Sequence, residues 1–297
     1  MMITLTREKM NMKKLACLFL TLCLLLPHAS WANRAEVLLL PTRVVMENGD
    51  RFTTVVVKNT GNATGNFSVG LVDMEMKDDG QVTPVDPAKP DPYSAIPYIR
   101  IAPKSITLKP GETQNVRIMV RKPETLPAGE YRSHLRVSLD NDNVDNTPDS
   151  AADPLSQGKK PEAHIAVKAN LVLIIPVILR NGDTTLNMKL EEPKVTYDAK
   201  GVPALTLAML REGTRSSMGD FTITYAGADG HSQLIKTFPG VPVYRPLTKR
   251  TVSIPLDDIP KGTDLNHGKL EIVYTSQGKD GAAGEKLAET QLSLSGH

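Results

Sequence analysis

An all-β fold of two immunoglobulin-like β-sandwich domains in tandem is predicted by three features of this 297-residue chain. Short runs of Val, Ile, Leu and Thr alternate with polar residues, as half-buried strands do, and Gly, Pro, Asn and Asp separate them. No stretch repeats apolar residues at the 3.6-residue period of an amphipathic helix. The pattern also restarts after Arg180-Asn181-Gly182-Asp183, and the length suits two domains of ordinary size.

The first 32 residues read as a secretory signal. "MKKLACLFLTLCLLLPHASWA" carries Lys13 and Lys14, an apolar run from Leu15 to Leu26, and the small-x-small triplet Ser30-Trp31-Ala32, so cleavage is expected after Ala32. A membrane anchor would need ~20 apolar residues, more than this run offers, so no stable membrane insertion is expected. Lipidation at Cys23 is disfavoured by the large Leu22 before it. Removal of the segment takes both cysteines and the single tryptophan, and with Arg7, Lys9, Lys13, Lys14 and Glu8 it moves the formal charge from +2 to −1. An exported protein without disulfides must be held by a large β core. Its near-neutral charge, with cations and anions interspersed, gives no nucleic-acid stripe, and the charges are read as solvated strand faces.

The expected strands of the first domain, residues 33–182, are "EVLLLPTRVVME", "RFTTVVVKNT", "NFSVGLVDMEM", "YIRIAP", "SITLKP", "TQNVRIMVRK", "YRSHLRVSLD" and "HIAVKANLVLIIPVILRNG", with turns at "ENGD" and "KDDG". Those of the second, residues 183–297, are "TLNMKLEEPKVTYD", "PALTLAML", "DFTITYAG", "HSQLIKTF", "KRTVSIPL", "GKLEIVYT" and "LAETQLSL". In the last strand of the first domain Ile165, Val167, Leu171, Leu173 and Ile175 share one face with Ala169, and Val172 and Ile174 make its second half apolar on both faces. Ordinary sandwich packing and pairing with a partner both fit such a strand. The long segment before it, from about Asp140 to Glu162, is either a linker or an extension of the strand.

Enzymatic chemistry has little support. A Gly-x-Ser-x-Gly elbow, a phosphate-cradling Gly-rich loop and a His-Glu-x-x-His helix are all absent. His134, His164, His231, His267 and His297 are scattered, so neither metal nor cofactor is expected. "DNDNVDNTPD" has Asp145 where a calcium loop needs glycine.

"PTRVVMENG", "FTTVVVKNTG", "ITLKPGETQNVRIMV", "LPAGEYRSHLRV" and a long alternating strand ending in Arg180 occur in this order, and the chain resembles the periplasmic pilus-assembly chaperones of the chaperone-usher pathway. "SSMGDFTITY" in the second domain is similar to the archaic branch of that family. The resemblance implies a periplasmic protein whose partners are pilin subunits and an outer-membrane usher. It implies that Ile165, Val167, Ala169 and Leu171 form a donor strand completing a subunit's sandwich, and that Arg43 anchors the subunit's C-terminal carboxylate. In many members a lysine stands four residues before the terminal arginine; here that position is Pro176, and Lys168 does not match the motif. Arg180 matches the terminal arginine, with a structural part at the domain junction. Two other classes remain open: a secreted β-sandwich adhesin or pilus structural subunit, and a hydrolase on a β scaffold.

Overall fold

The computed structural model describes residues 34–140, 171–227, 230–260, 263–278 and 284–295. The signal segment, the acidic loop, and the expected donor residues Ile165, Val167 and Ala169 lie outside these residues. No helix among the described residues is long and apolar enough to cross a membrane.

The first sandwich begins with a strand that changes sheets. β1 (Val37–Leu40) pairs antiparallel with β3 (Phe52–Asn59), whereas β2 (Val44–Met46) joins the opposite sheet. "EVLLLPTRVVME", expected as one strand, is therefore broken at Pro41-Thr42-Arg43. The physical reason is Pro41, which has no N–H to give to a ladder. One sheet has the order β1, β3, β9 (Thr113–Val120), β7 (Ile99–Ala102). The other runs β2, β11 (Val172–Asn181), β10 (Gly129–Leu139), β4 (Gly65–Val72), β8 (Ser105–Leu108). Their inner faces enclose a core that includes Val55, Val57, Phe67, Val116, Ile118, Leu135 and Val177, all fully buried.

"NFSVGLVDMEM" is likewise two strands, because the chain leaves the sheet at Asp73. β5 (Met74–Met76) then pairs with β6 (Val82–Pro84), a short strand the alternation did not reveal, around the expected turn at Lys77–Gly80. Gly80 closes that turn at φ +86° and donates its N–H to Lys77 O at 2.8 Å. This ribbon reaches the second sandwich: Asp78 O accepts from Thr251 N–H at 2.7 Å, and Met76 joins Ile178 and Tyr244 in a small apolar cluster.

The second sandwich packs the sheet β12 (Leu186–Tyr197), β13 (Pro203–Gly213), β16 (Lys249–Pro255) against the sheet β15 (Ser232–Val243), β14 (Ser217–Ala226), β17 (His267–Ser276), β18 (Lys286–Ser295). Its separate core includes Leu205, Met209, Phe221, Ile223, Ile272 and Tyr274.

Candidate functional site

Two features of β11 define the candidate site. Its C-terminal part is enclosed: β10 pairs with it from Val172 to Asn181 on one side, and β2 runs parallel to Val177–Leu179 on the other. Its N-terminal part, Val172–Pro176, has β10 alone as a ladder neighbour among the described residues, and among those residues its other edge is unpaired. Burial on the odd-numbered face changes along the same line. Val177 and Leu179 are buried in the first core, Ile175 is at its margin with 6% exposure, and Leu173 and Leu171 are only partly covered. Leu171 O accepts from Leu139 N–H at 3.0 Å, so this expected donor residue is tied to the first sandwich and packs partly on its core. On the even face Ile174 is exposed.

The even face of the sheet carries charge. Alternation puts Glu130, Arg132 and His134 of β10 opposite Arg180, Ile178 and Pro176 of β11. Sequence reasoning read such charges as solvated; here Glu130, Arg132 and His134 are 1%, 4% and 4% exposed. The β5–β6 ribbon and the second sandwich supply contacts on this face: Arg132 donates to Met74 O at 3.0 Å and to Arg245 O at 3.4 Å, and stacks 4.3 Å from the Tyr244 ring centre.

Glu130 is the centre of the junction. One carboxylate oxygen accepts from Arg180 Nε at 3.2 Å and the other from the Ser216 N–H at 3.1 Å. Its backbone N–H donates to Thr214 O at 3.0 Å, and its carbonyl accepts from Arg245 at 3.1 Å. Arg180 also pairs with Glu47 at 2.8 Å, so its charge is balanced by two carboxylates of the first sandwich. Arg180 thus ties strands of the first sandwich at the junction, and Glu130 carries the bonds across to the second.

His134 is neutral. Burial, and then the neighbouring Arg132, hold its pKa down at about 3, against an ordinary 6.5. Arg132 approaches His134 Nε2 at 3.3 Å, and a guanidinium can only donate, so Nε2 is the acceptor and the proton sits on Nδ1. That Nδ1 is buried without a partner among the described residues.

A cleft of about 580 Å³ opens between the sandwiches, lined by Arg43, Val45, Glu47 and Arg180 on one side and by Arg215, Ser216 and Met218 among the residues on the other. Period two explains the near wall. Val44 and Met46 point into the core, so Arg43, Val45 and Glu47 face out toward the cleft. Arg43 also reaches Tyr244 of the second domain: burial pushes that phenol's pKa up, and the Arg43 guanidinium beside it opposes the rise. The parallel register pairs Val44 with Val177, so one step further Pro176 stands alongside Arg43. A proline brings neither charge nor donor to that place.

Arg215 is the residue that sequence reasoning missed. It lies in the turn between β13 and β14, where Gly213, at φ +101°, packs so closely on Thr185 O that a side chain there would collide with it. The N–H groups of Thr214 and Arg215 both donate to Thr185 O, at 2.9 and 3.1 Å, and Arg211 donates to Arg215 O at 3.1 Å. The backbone of Arg215 is thus fixed from both sides. "EGTRSS" shows only a turn, and nothing local in it announces a cleft.

No group of three or more His, Cys, Asp and Glu side chains among the described residues is placed to hold a metal ion. No family model matches the chain, and no curated protein matches it in sequence. The chain is similar to fimbrial chaperones. The YadV chaperone aligns with a TM-score of 0.43 at 12% identity, over 87% of this chain and 99% of that one. The class 5 fimbriae chaperone CfaA aligns at 0.41 and 11%, over 86% and 98%. A chain of the CsuC–CsuE chaperone–tip adhesion subunit pre-assembly complex of Acinetobacter baumannii aligns at 0.41 and 13%, over 89% and 100%. These likenesses assign no role to any residue of this chain.

Proposed function

We propose that this protein is a non-enzymatic periplasmic chaperone that binds and caps pilin subunits by donor-strand complementation and delivers them to an outer-membrane usher. Residues 1–32 are its signal peptide, 33–182 its subunit-binding domain and 183–297 its second domain. The observation that carries the reading is the edge of β11 from Val172 to Pro176, unpaired among the described residues, with an odd face that passes out of the chain's own core at Leu173 and Leu171. Ile165, Val167 and Ala169 continue that phase toward the N-terminus. A subunit sandwich lacking a strand would complete its ladder on that edge and take these side chains into its core. Each buried Val, Ile or Leu contributes roughly 1.5–3 kcal/mol, enough for Ile165, Val167 and Leu171 to hold a subunit without a nucleotide. Leu171 stands where the two cores meet.

Arg43 is assigned as the anchor of the subunit's terminal carboxylate. Its buried Nε has no acceptor among the described residues, and a planar guanidinium suits a carboxylate. Co-expression with a candidate pilin tests the reading. The chain should leave the periplasm as a one-to-one complex, and Arg43→Ala should abolish recovery of the subunit while changing the chaperone's own stability by about 1 kcal/mol or less. Isolation of the chain always alone, with the subunit stable without it, would sink the assignment.

A further inference from the structure

We propose that Arg215 supplies, from the second domain, the second cation of the cleft in which Arg43 is the first, so that a partner's terminal carboxylate is held between the two sandwiches. This rests on the reading of Arg43 as a carboxylate anchor. The cations around the junction sort into two groups by what they already hold. Arg180 is balanced by Glu47 and Glu130. Arg132 donates to Met74 O, and Arg245 donates to the carbonyls of Glu130 and Thr214 and stacks 3.9 Å from the Tyr93 ring centre. Arg211 is buried and donates to Leu247 O, Gly213 O and Arg215 O. His134 is uncharged at neutral pH.

Arg43 and Arg215 both line the cleft, and each has a buried Nε with no acceptor among the described residues. Arg132 and Arg250 also have such an Nε but do not line the cleft, and Arg43 reaches Tyr244 as well. The cleft also carries Glu47, which Arg180 holds, and Glu285, and an anion bound between Arg43 and Arg215 would add to the negative charge there while pairing with both cations. A single carboxylate has the two oxygens needed to receive one guanidinium on each side. The backbone of Arg215 is held by Thr185 O and by Arg211, so only its side chain is left for the ligand to order. Pro176 beside Arg43 is consistent with this arrangement: the second charge comes from across the cleft rather than from the neighbouring strand. Seated there, the carboxylate links the domains, and both walls contribute to its affinity.

The test uses the full mature chain and an acetylated Val-Thr-Val-Thr tetrapeptide, as free acid and as C-terminal amide, with acetate as competitor, and follows binding by NMR titration. The free acid should bind at least tenfold more tightly than the amide, acetate should displace it, and Arg43→Gln and Arg215→Gln should each weaken it at least tenfold. Weakening by Arg43→Gln with no change in Arg215→Gln overturns the role of Arg215 and leaves the Arg43 anchor standing. No change in either variant, or equal binding of acid and amide, removes the anchor and the second cation together. An effect in Arg215→Gln alone also overturns the paired site. Should that variant melt the second domain, Arg215→Lys decides: it keeps the charge and loses the planar fork, so affinity should fall at least threefold, and an unchanged affinity overturns the proposal.

Discussion

The two halves of β11 obey the same alternation in opposite surroundings. From Val177 to Leu179 the strand has neighbours on both edges and the odd side chains are buried; from Val172 to Pro176 it has one ladder neighbour among the described residues, and the odd face emerges from the core. Period two fixes which side chains share a face, but only the neighbours decide whether that face is core or edge. One strand can therefore stabilise its own domain at one end and be offered to a partner at the other.

The largest effect that sharpens this contrast is expected in the enclosed half. Val177 is completely buried, so Val177→Asp places an unpaired charge in the first core and should prevent that domain from folding at 25 °C, with a loss above about 4 kcal/mol. A cooperative native-like melt of that variant would show that the enclosed half is less committed than its burial indicates.

Next comes the charged tie beside it. Glu130→Ala leaves Arg180 with Glu47 alone and the Ser216 N–H without its acceptor, and should cost about 3–5 kcal/mol in urea unfolding. Glu130→Gln keeps the hydrogen-bonding shape and should cost less. Equal losses in the two variants would remove the charge from the account.

A smaller, pH-dependent effect is expected from His134. Its folded pKa of about 3 lies below the ordinary value of 6.5, so the unfolded chain binds the proton first as pH falls. The stability His134 contributes is complete above pH 6.5 and is lost progressively toward pH 3. Between pH 7 and 4.5 the loss should be about 2–3 kcal/mol. His134→Gln should flatten that part of the stability profile, and an unchanged profile in the variant would contradict the buried neutral imidazole.

The fold was legible where local chemistry decides it. Val, Ile and Leu alternation located most strands, and the turns at Glu47–Asp50 and Lys77–Gly80 close with 3.1 and 2.8 Å hydrogen bonds. Arg43 came from the family resemblance of "PTRVV" and not from alternation; its place on the wall of the cleft is what the structure adds. What failed was any property set by a distant segment. Alternation put Glu130, Arg132 and His134 on the outer face, but not the ribbon and the second domain that cover it. Arg215 was invisible for the same reason: the residues facing it across the cleft, Arg43, Val45, Glu47 and Arg180, are remote in sequence. The breaks at Pro41 and Asp73 were hidden by apolar residues on both sides.

Under the proposed function, Val167 continues into a partner the apolar phase that leaves the core at Leu173 and Leu171. The most direct measurement compares Val167→Asp with Lys168→Ser, taking subunit recovery from the periplasm together with the melting temperature of the free chain. The account predicts that Val167→Asp abolishes subunit recovery and leaves the melting temperature nearly unchanged, while Lys168→Ser alters neither. Normal recovery with Val167→Asp, or equal damage from Lys168→Ser, would contradict it.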